Sequence, residues 1–408
     1  MEKKEFDVLI IGSGPAGAAC AIALGNSGLS VAVLDKAVFP RDKICGDALS
    51  VDVVNQLSLL QGDLTSRFQG LDSKVSSYGV RIFAPNHQYV DIPFIHKGEE
   101  KCGYLCPRFD FDQLLVEQLS QYENVKMFED CAVERIDKTE TEVLVHTNKG
   151  TFSAKMIAGA DGAQSVVARQ LGSFKPDREH YSAGLRVYYE GITAFQESHF
   201  IELHFFKDVL PGYLWIFPLP NNRANVGVGI LSSVVSKKRI NLKTVLKSLI
   251  ENNPHLNERF QGARPLEVAK GYGLPLGSKK RKISGDRFLL LGDAASLIDP
   301  FTGEGIGNAI RSGRVAADHI VGAFKSNDFS RTFNIAYDHE IYRRMWPELK
   351  VSRGLQNLCR YPRLFNSVVR KANKSTYIHD VLVGALAQSH KKRSLLLHPS
   401  FYYHLLFK

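Results

Sequence analysis

The first apolar run of the chain, Asp7-Val-Leu-Ile-Ile-Gly12, is continuous rather than alternating, the pattern of a parallel strand buried on both faces. It passes at once into Gly12-Ser-Gly14-Pro-Ala-Gly17, after which Ala21, Leu24 and Gly28 recur at helical spacing. A second run, Leu29-Ser-Val-Ala-Val-Leu34, ends on Asp35. Strand, glycine turn, helix, strand and acid are thus predicted in that order. Two later runs repeat the step from strand to acid: Met156-Ile-Ala-Gly-Ala-Asp161-Gly162, and Phe288-Leu-Leu-Leu-Gly292-Asp293. The second continues through Asp299-Pro-Phe-Thr-Gly303-Glu-Gly305-Ile-Gly307 into a helical pattern. Between these segments the period drops to two, as in Ser182-Ala-Gly-Leu-Arg-Val-Tyr-Tyr and His199-Phe-Ile-Glu-Leu-His-Phe-Phe. Tyr213, Trp215 and Phe217 alternate along one such strand, so their side chains are expected on one face. Beyond about residue 331 the spacing is helical, with heptad-like apolar positions between basic residues.

Each part of the N-terminal pattern has a physical task. Gly12 permits the tight turn, Gly14 lets a pyrophosphate approach the backbone, and Gly17 allows the helix to pack closely on the strand. The helix start offers unpaired N–H groups and positive dipole to phosphate. Asp35 is placed to accept hydrogen bonds from ribose hydroxyls. A lone glycine motif is weak, but this one sits between the required strand and helix, so dinucleotide binding is expected here. The motif alone does not separate FAD from NAD.

Four separated segments, in order, resemble the geranylgeranyl reductase family of FAD-dependent oxidoreductases, relatives of the flavoprotein aromatic hydroxylases and flavin-dependent halogenases. Phe39-Pro-Arg41-Asp-Lys43-Ile-Cys45-Gly46-Asp47-Ala48 is similar to the stretch after that family's first FAD unit. Tyr213-Leu-Trp215-Ile-Phe217-Pro218, with Gly227-Val-Gly229 eight residues on, is similar to its substrate-pocket motif. Asp161-Gly162 and the run from Gly292 to Ile306 resemble its second and third fingerprints. Asp35 departs from the pattern, since the family usually has Glu there, and Arg169 sits in a looser second fingerprint.

The resemblance implies an α/β fold. An FAD-binding, Rossmann-like domain of the hydroxylase type is expected from 1–75, 106–174 and 285–330. An inserted antiparallel β-sheet from 76–105 and 175–284 is expected to form the substrate domain; residues beyond about 330 carry no matching motif, and their spacing alone predicts a basic helical C-terminal region over 331–408. Ala16, Asp35, Arg41, Cys45, Gly46 and Ala48 are implied around FAD, with Arg108, Ala132, Asp161 and Gly162. Asp293, Gly305 and Ile306 complete that set. Tyr213, Trp215, Phe217, Gly227 and Gly229 are implied to wall the substrate pocket, although alternating aromatics by themselves read as ordinary sheet core. The implied reaction is hydride transfer from reduced FAD to a carbon–carbon double bond of a polyprenyl lipid or related hydrophobic substrate. NAD(P)H or a reduced electron-carrier protein would be the external reductant. A monooxygenase or halogenase acting on a hydrophobic or aromatic substrate is the competing reading, and a catalytically silent FAD-binding module a third. The Trp-x-Trp-x-Ile-Pro type of run that marks halogenases is absent.

Two side chains carry alternatives. Arg108 precedes an amphipathic segment and is a candidate partner for cofactor phosphate; the alternative is a surface ion pair with Asp110 or Asp112. Cys45 follows Arg41 and Lys43, a setting that favours a thiolate, and it is the candidate catalytic residue, as proton donor or thiolate. The plainer reading is that a small residue is needed there for close approach of the flavin.

Composition narrows the setting. Residues 1–330 carry 38 Lys/Arg and 38 Asp/Glu, so the whole net charge of +10 lies in 331–408. That segment ends with Lys391-Lys-Arg393 and an apolar, aromatic tract, which is expected to contact an anionic membrane surface through 391–408; packing on its own domain is the alternative. No nucleic-acid motif accompanies the charge. Six cysteines do not make a disulfide framework, Cys102 and Cys106 lack partners at zinc spacing, and no metal site is expected. The strand pattern begins almost at once, so no signal peptide is expected, and no run of about 18 apolar residues occurs. A cytoplasmic location is expected, peripheral to the inner face of the membrane if the tail binds there.

Overall fold

The computed structural model describes residues 3–96, 99–172, 174–386 and 400–401. Five strands run parallel in the order Val125–Phe128, Val31–Leu34, Lys4–Ile11, Gly150–Gly159 and Phe288–Leu290. The continuous apolar runs fit the centre of this sheet: Val8, Leu9 and Ile10 are wholly buried, as are Val31, Ala32 and Val33. Helix Pro15–Leu24 packs on the long helix Ile306–Ser326 beside the sheet. A hairpin, Val133–Lys138 and Val143–Thr147, extends the sheet from the first half of Gly150–Gly159. Because the strands are parallel, the loops after Ile11, Leu34, Gly159 and Leu290 all open at one edge, the usual ligand side of such sheets.

The inserted sheet runs in the order Arg264–Pro265, Tyr181–Glu190, Arg223–Leu231, Tyr213–Leu219, Ile201–His204, Gly79–Phe83 and Tyr89–Pro93, and Lys270–Pro275 also joins Tyr181–Glu190. One pairing departs from the expected antiparallel pattern: Ile201–His204 runs parallel to Gly79–Phe83. These two strands come from different insertions, so no hairpin forces them antiparallel. Residues 103–105, expected in this sheet, instead pair with Ala48–Leu49 and Val75–Ser77 in a small sheet.

The C-terminal region is not one unit. Helix Arg331–Leu358 buries Tyr337, Ile341, Met345 and Leu349 in the core of the nucleotide-type domain. Helices Pro362–Ala372 and Thr376–Leu386 place Phe365, Val368, Val369, Ile378 and Val381 on the inserted sheet. They also reach its edge strand, where Asn373 Nδ2 donates to Tyr89 O at 2.7 Å and His379 Nε2 lies 3.0 Å from Asp91 O. The membrane segment expected at 391–408 lies outside the described residues, apart from 400–401. No helix of the described residues is long and apolar enough to cross a membrane.

Candidate active site

A cavity of about 1260 Å³ lies between the parallel sheet's loop edge and the inserted sheet. That exceeds the ~300–1,000 Å³ of a typical ligand pocket, leaving room for a dinucleotide and a second molecule.

One end is built from backbone. Gly12, at φ +93°, turns the chain out of the first strand, and a Cβ on Gly17 would overlap the Gly12 carbonyl oxygen. Gly17 therefore seats the helix and does not line the cavity, whereas Gly12, Gly14 and Ala16 do. Helix Pro15–Leu24 starts at Gly14 with no side-chain cap, leaving its N–H groups open to an anion. Helix Ile306–Ser326 likewise starts at Gly305 uncapped, and Gly305 and Ile306 both line the cavity. Asp35 accepts from Ser13 N at 2.7 Å, Ser13 Oγ at 2.8 Å and Ala37 N at 2.9 Å, which holds its carboxylate at the end of the second strand. Ala132, Asp161 and Gly162 complete this wall. Asp161 Oδ2 accepts from Val166 N at 2.6 Å, but its buried Oδ1 has no partner. Two open helix starts, a glycine turn and an unsatisfied carboxylate oxygen fit a dinucleotide with its pyrophosphate and hydroxyl groups.

The middle of the cavity is bordered by the loop that follows the second strand. Arg41, Lys43, Cys45, Gly46 and Ala48 all line it. Arg108 also lines it, but its guanidinium grips Asp112 through two bonds of 2.6 and 2.7 Å, and Arg41 adds a third contact to Asp112 at 2.8 Å. The ion pair expected at the surface is thus buried and ties the loop to helix Arg108–Glu117. Cys45 faces the Arg108 guanidinium. Burial lowers the Lys43 ammonium to about 8 against the opposing pull of Asp293, and burial raises Asp293. Lys43 Nζ sits 3.3 Å above the Tyr272 ring.

The far wall is the aromatic strand. Tyr213, Trp215 and Phe217 line the cavity from one face, as alternation requires. Val80, Leu185, Ile201, Leu203 and Leu274 widen this wall into an apolar surface. Gly227 and Gly229 do not line the cavity. They pair with Trp215 and Tyr213 on the next strand, and a Cβ on Gly227 would overlap the Trp215 ring and Leu185 O. The glycines make space behind the aromatic residues rather than in front of them. Tyr213 also donates to Thr302 O at 2.5 Å, which holds the loop that precedes Gly305.

Sequence reasoning missed a set behind this wall in which Asp47 and Asn225 are wholly buried and Tyr188 partly so. Asp47, Tyr188 and Asn225 are joined by hydrogen bonds of 2.6 and 2.8 Å to Asp47 Oδ2. Burial raises the Asp47 carboxyl to about 6, while those two hydrogen bonds pull the other way. Only the position of Asp47 within the Cys45-Gly46-Asp47 segment hinted at its place; Tyr188 and Asn225 carried no local signal. At the opposite rim, Arg311 Nη2 donates to Asp52 at 2.7 Å and Ser50 Oγ to Glu304.

With this geometry in view, comparison with known proteins is direct. The FAD binding domain family matches residues 5–320. A digeranylgeranylglycerophospholipid reductase of Methanosarcina acetivorans is 30% identical over 355 residues, covering 85% of this chain and 81% of the relative. A menaquinone reductase of Mycobacterium tuberculosis is 28% identical over 400 residues, covering 93% and 90%. The crystal structure of a geranylgeranyl bacteriochlorophyll reductase-like protein from Thermoplasma acidophilum has the same fold, with a TM-score of 0.80 at 23% identity, covering 97% of this chain and 99% of that one.

Proposed function

The chain belongs to the FAD binding domain family, as an oxidoreductase of the geranylgeranyl reductase type, and from that premise we propose that it saturates carbon–carbon double bonds in a polyprenyl chain. The observation that carries this reading is the continuity of one cavity, from the glycine turn at Gly12 to the apolar wall of Leu185, Leu203 and Trp215. Reduced FAD, when bound, supplies a hydride to one carbon of the double bond. The chain's own residues hold, orient and dehydrate the acceptor. Trp215 spends its only donor on Asn225 Oδ1 at 2.8 Å, so it offers the cavity an apolar ring. Val80, Ile201 and Leu274 extend that surface for a length of methyl-branched hydrocarbon. Cys45, facing Arg108, is the side chain we assign to protonation of the neighbouring carbon, with water as the other source. Reducing equivalents come from NAD(P)H or a reduced carrier protein, and 391–408 is the proposed contact with an anionic membrane.

The experiment starts with anaerobic chemical reduction of the purified flavoprotein, which bypasses the unknown donor. Digeranylgeranyl glycerophospholipid and menaquinone are then added separately, while flavin reoxidation is followed and products are weighed by mass spectrometry. The expected result is a gain of two hydrogens in the polyprenyl chain per turnover without oxygen, a gain that persists after any quinol formed is reoxidised to the quinone. Turnover only in the presence of oxygen, with an oxygen or halogen added to the product, overturns the reading in favour of a monooxygenase or halogenase.

A further inference from the structure

One set of hydrogen bonds joins the two walls of the cavity and belongs to neither alone. Asn225 is wholly buried, and its amide is used in full inside the protein. Its Oδ1 accepts from Trp215 Nε1 at 2.8 Å, and its Nδ2 donates to Cys45 O at 2.7 Å and to Asp47 Oδ2 at 2.8 Å. Tyr188 OH donates to the same carboxylate oxygen at 2.6 Å, and Arg186 stacks on the Tyr188 ring at 4.0 Å. Tyr188, Asn225 and Phe217 stand opposite one another on three adjacent strands. Asp47 is wholly buried in a left-handed conformation, φ +65°, next to the segment that lines the cavity. None of Asp47, Tyr188 and Asn225 lines the cavity itself.

A carboxylate and an amide buried together are costly to desolvate, and an apolar filling of equal volume is often more stable. What such a set supplies instead is direction, because each bond fixes a distance and an angle. We propose that Asn225, backed by Asp47 and Tyr188, is a positioning residue that locks the Cys45–Gly46 backbone to the Trp215 indole, so that the cofactor-side loop and the substrate-side wall keep one relative placement. This rests on the reading that the Cys45 segment borders the flavin. Substitution at 225 strips the partner from the Cys45 carbonyl and from the Trp215 N–H together, which no other single side chain described above would do.

The test uses the FAD-loaded protein with Tyr188→Phe, Asn225→Ala, the double variant, and Tyr189→Phe as a neighbour outside the set. Two readouts are taken: the rate at which iodoacetamide alkylates Cys45, followed by peptide mass spectrometry, and the visible circular dichroism of bound FAD. Tyr188→Phe and Asn225→Ala should each change the alkylation rate by about fivefold and shift the flavin bands. The double variant should fall short of the product of the two effects, because both act through Asp47. Tyr189→Phe should leave both readouts as in the wild type. Should Asn225→Ala fail to fold, Tyr188→Phe, which removes a single hydroxyl, decides alone. Wild-type rates and bands in the FAD-loaded variants overturn the proposal and leave the functional reading intact. A wild-type Cys45 alkylated equally fast with and without FAD overturns the reading of its segment, and the proposal with it.

Discussion

The two walls of the cavity are made of different material. The nucleotide wall is mostly backbone: a glycine turn, two uncapped helix starts and carboxylates held by main-chain N–H groups. The opposite wall is mostly side chain: three aromatic residues on one strand, seated over glycines and braced by Asn225, Asp47 and Tyr188. Backbone sites tolerate almost no added atom, because the main chain cannot move aside. Side-chain sites repack and lose smaller amounts of energy at each change.

Four substitutions separate these behaviours. The largest effect is expected for Gly17→Ala, whose Cβ would overlap the Gly12 carbonyl oxygen. The variant should lose FAD altogether, read as flavin per chain after gel filtration; near-stoichiometric flavin would contradict a backbone-built wall. Next comes Asp47→Asn, read through pH. Burial raises Asp47 from 3.8 to about 6, so between those values the native state holds a proton the unfolded chain has released. Stability from this group is therefore present at low pH and lost as pH rises through that window. Relative to Asp47→Asn, the wild type should lose about 3 kcal/mol between about pH 4 and pH 7 in denaturant titrations. Parallel pH curves for the two proteins would mean that burial does not raise the Asp47 carboxyl. Asp161 and Asp293 shift in the same direction, which is why the difference between the two proteins is the quantity to measure.

Gly227→Ala should cost roughly 3 kcal/mol by overpacking, since its Cβ would meet the Leu185 carbonyl as well as the Trp215 ring, with FAD retained and KM for a polyprenyl acceptor raised as that ring is displaced. A loss of FAD equal to that in Gly17→Ala would erase the distinction between the walls. The smallest change is expected for Tyr213→Phe, which removes one hydrogen bond to Thr302 O, worth about 1 kcal/mol in thermal or chemical unfolding.

The same contrast explains what could be read from the sequence. Gly12, Gly14, Gly17 and Asp35 lie within one strand–helix–strand unit, and their jobs follow from local spacing, so the nucleotide wall was legible. The one-face placement of Tyr213, Trp215 and Phe217 was legible for the same reason. The roles of Gly227 and Gly229 were misread, because spacing cannot tell whether a glycine faces a ligand or the back of its neighbour's ring. Arg108 was read as a phosphate partner or a surface pair, and its burial against Asp112, which Arg41 also contacts, depends on how two segments meet. Asn225 and Asp47 stand 178 positions apart in the chain, and no local pattern joins them.

The C-terminal helices have a further consequence at the sheet's outer rim. Tyr89–Pro93 is an edge strand, and an open edge offers its carbonyls to any other chain. Here Asn373 takes the carbonyl of Tyr89, and His379 sits against that of Asp91. Two copies meeting rim to rim therefore find side chains where a ladder would begin. The last helices work as a selvage on the sheet, and a protein clipped ahead of Pro362 would fray into strand-paired aggregates from that rim.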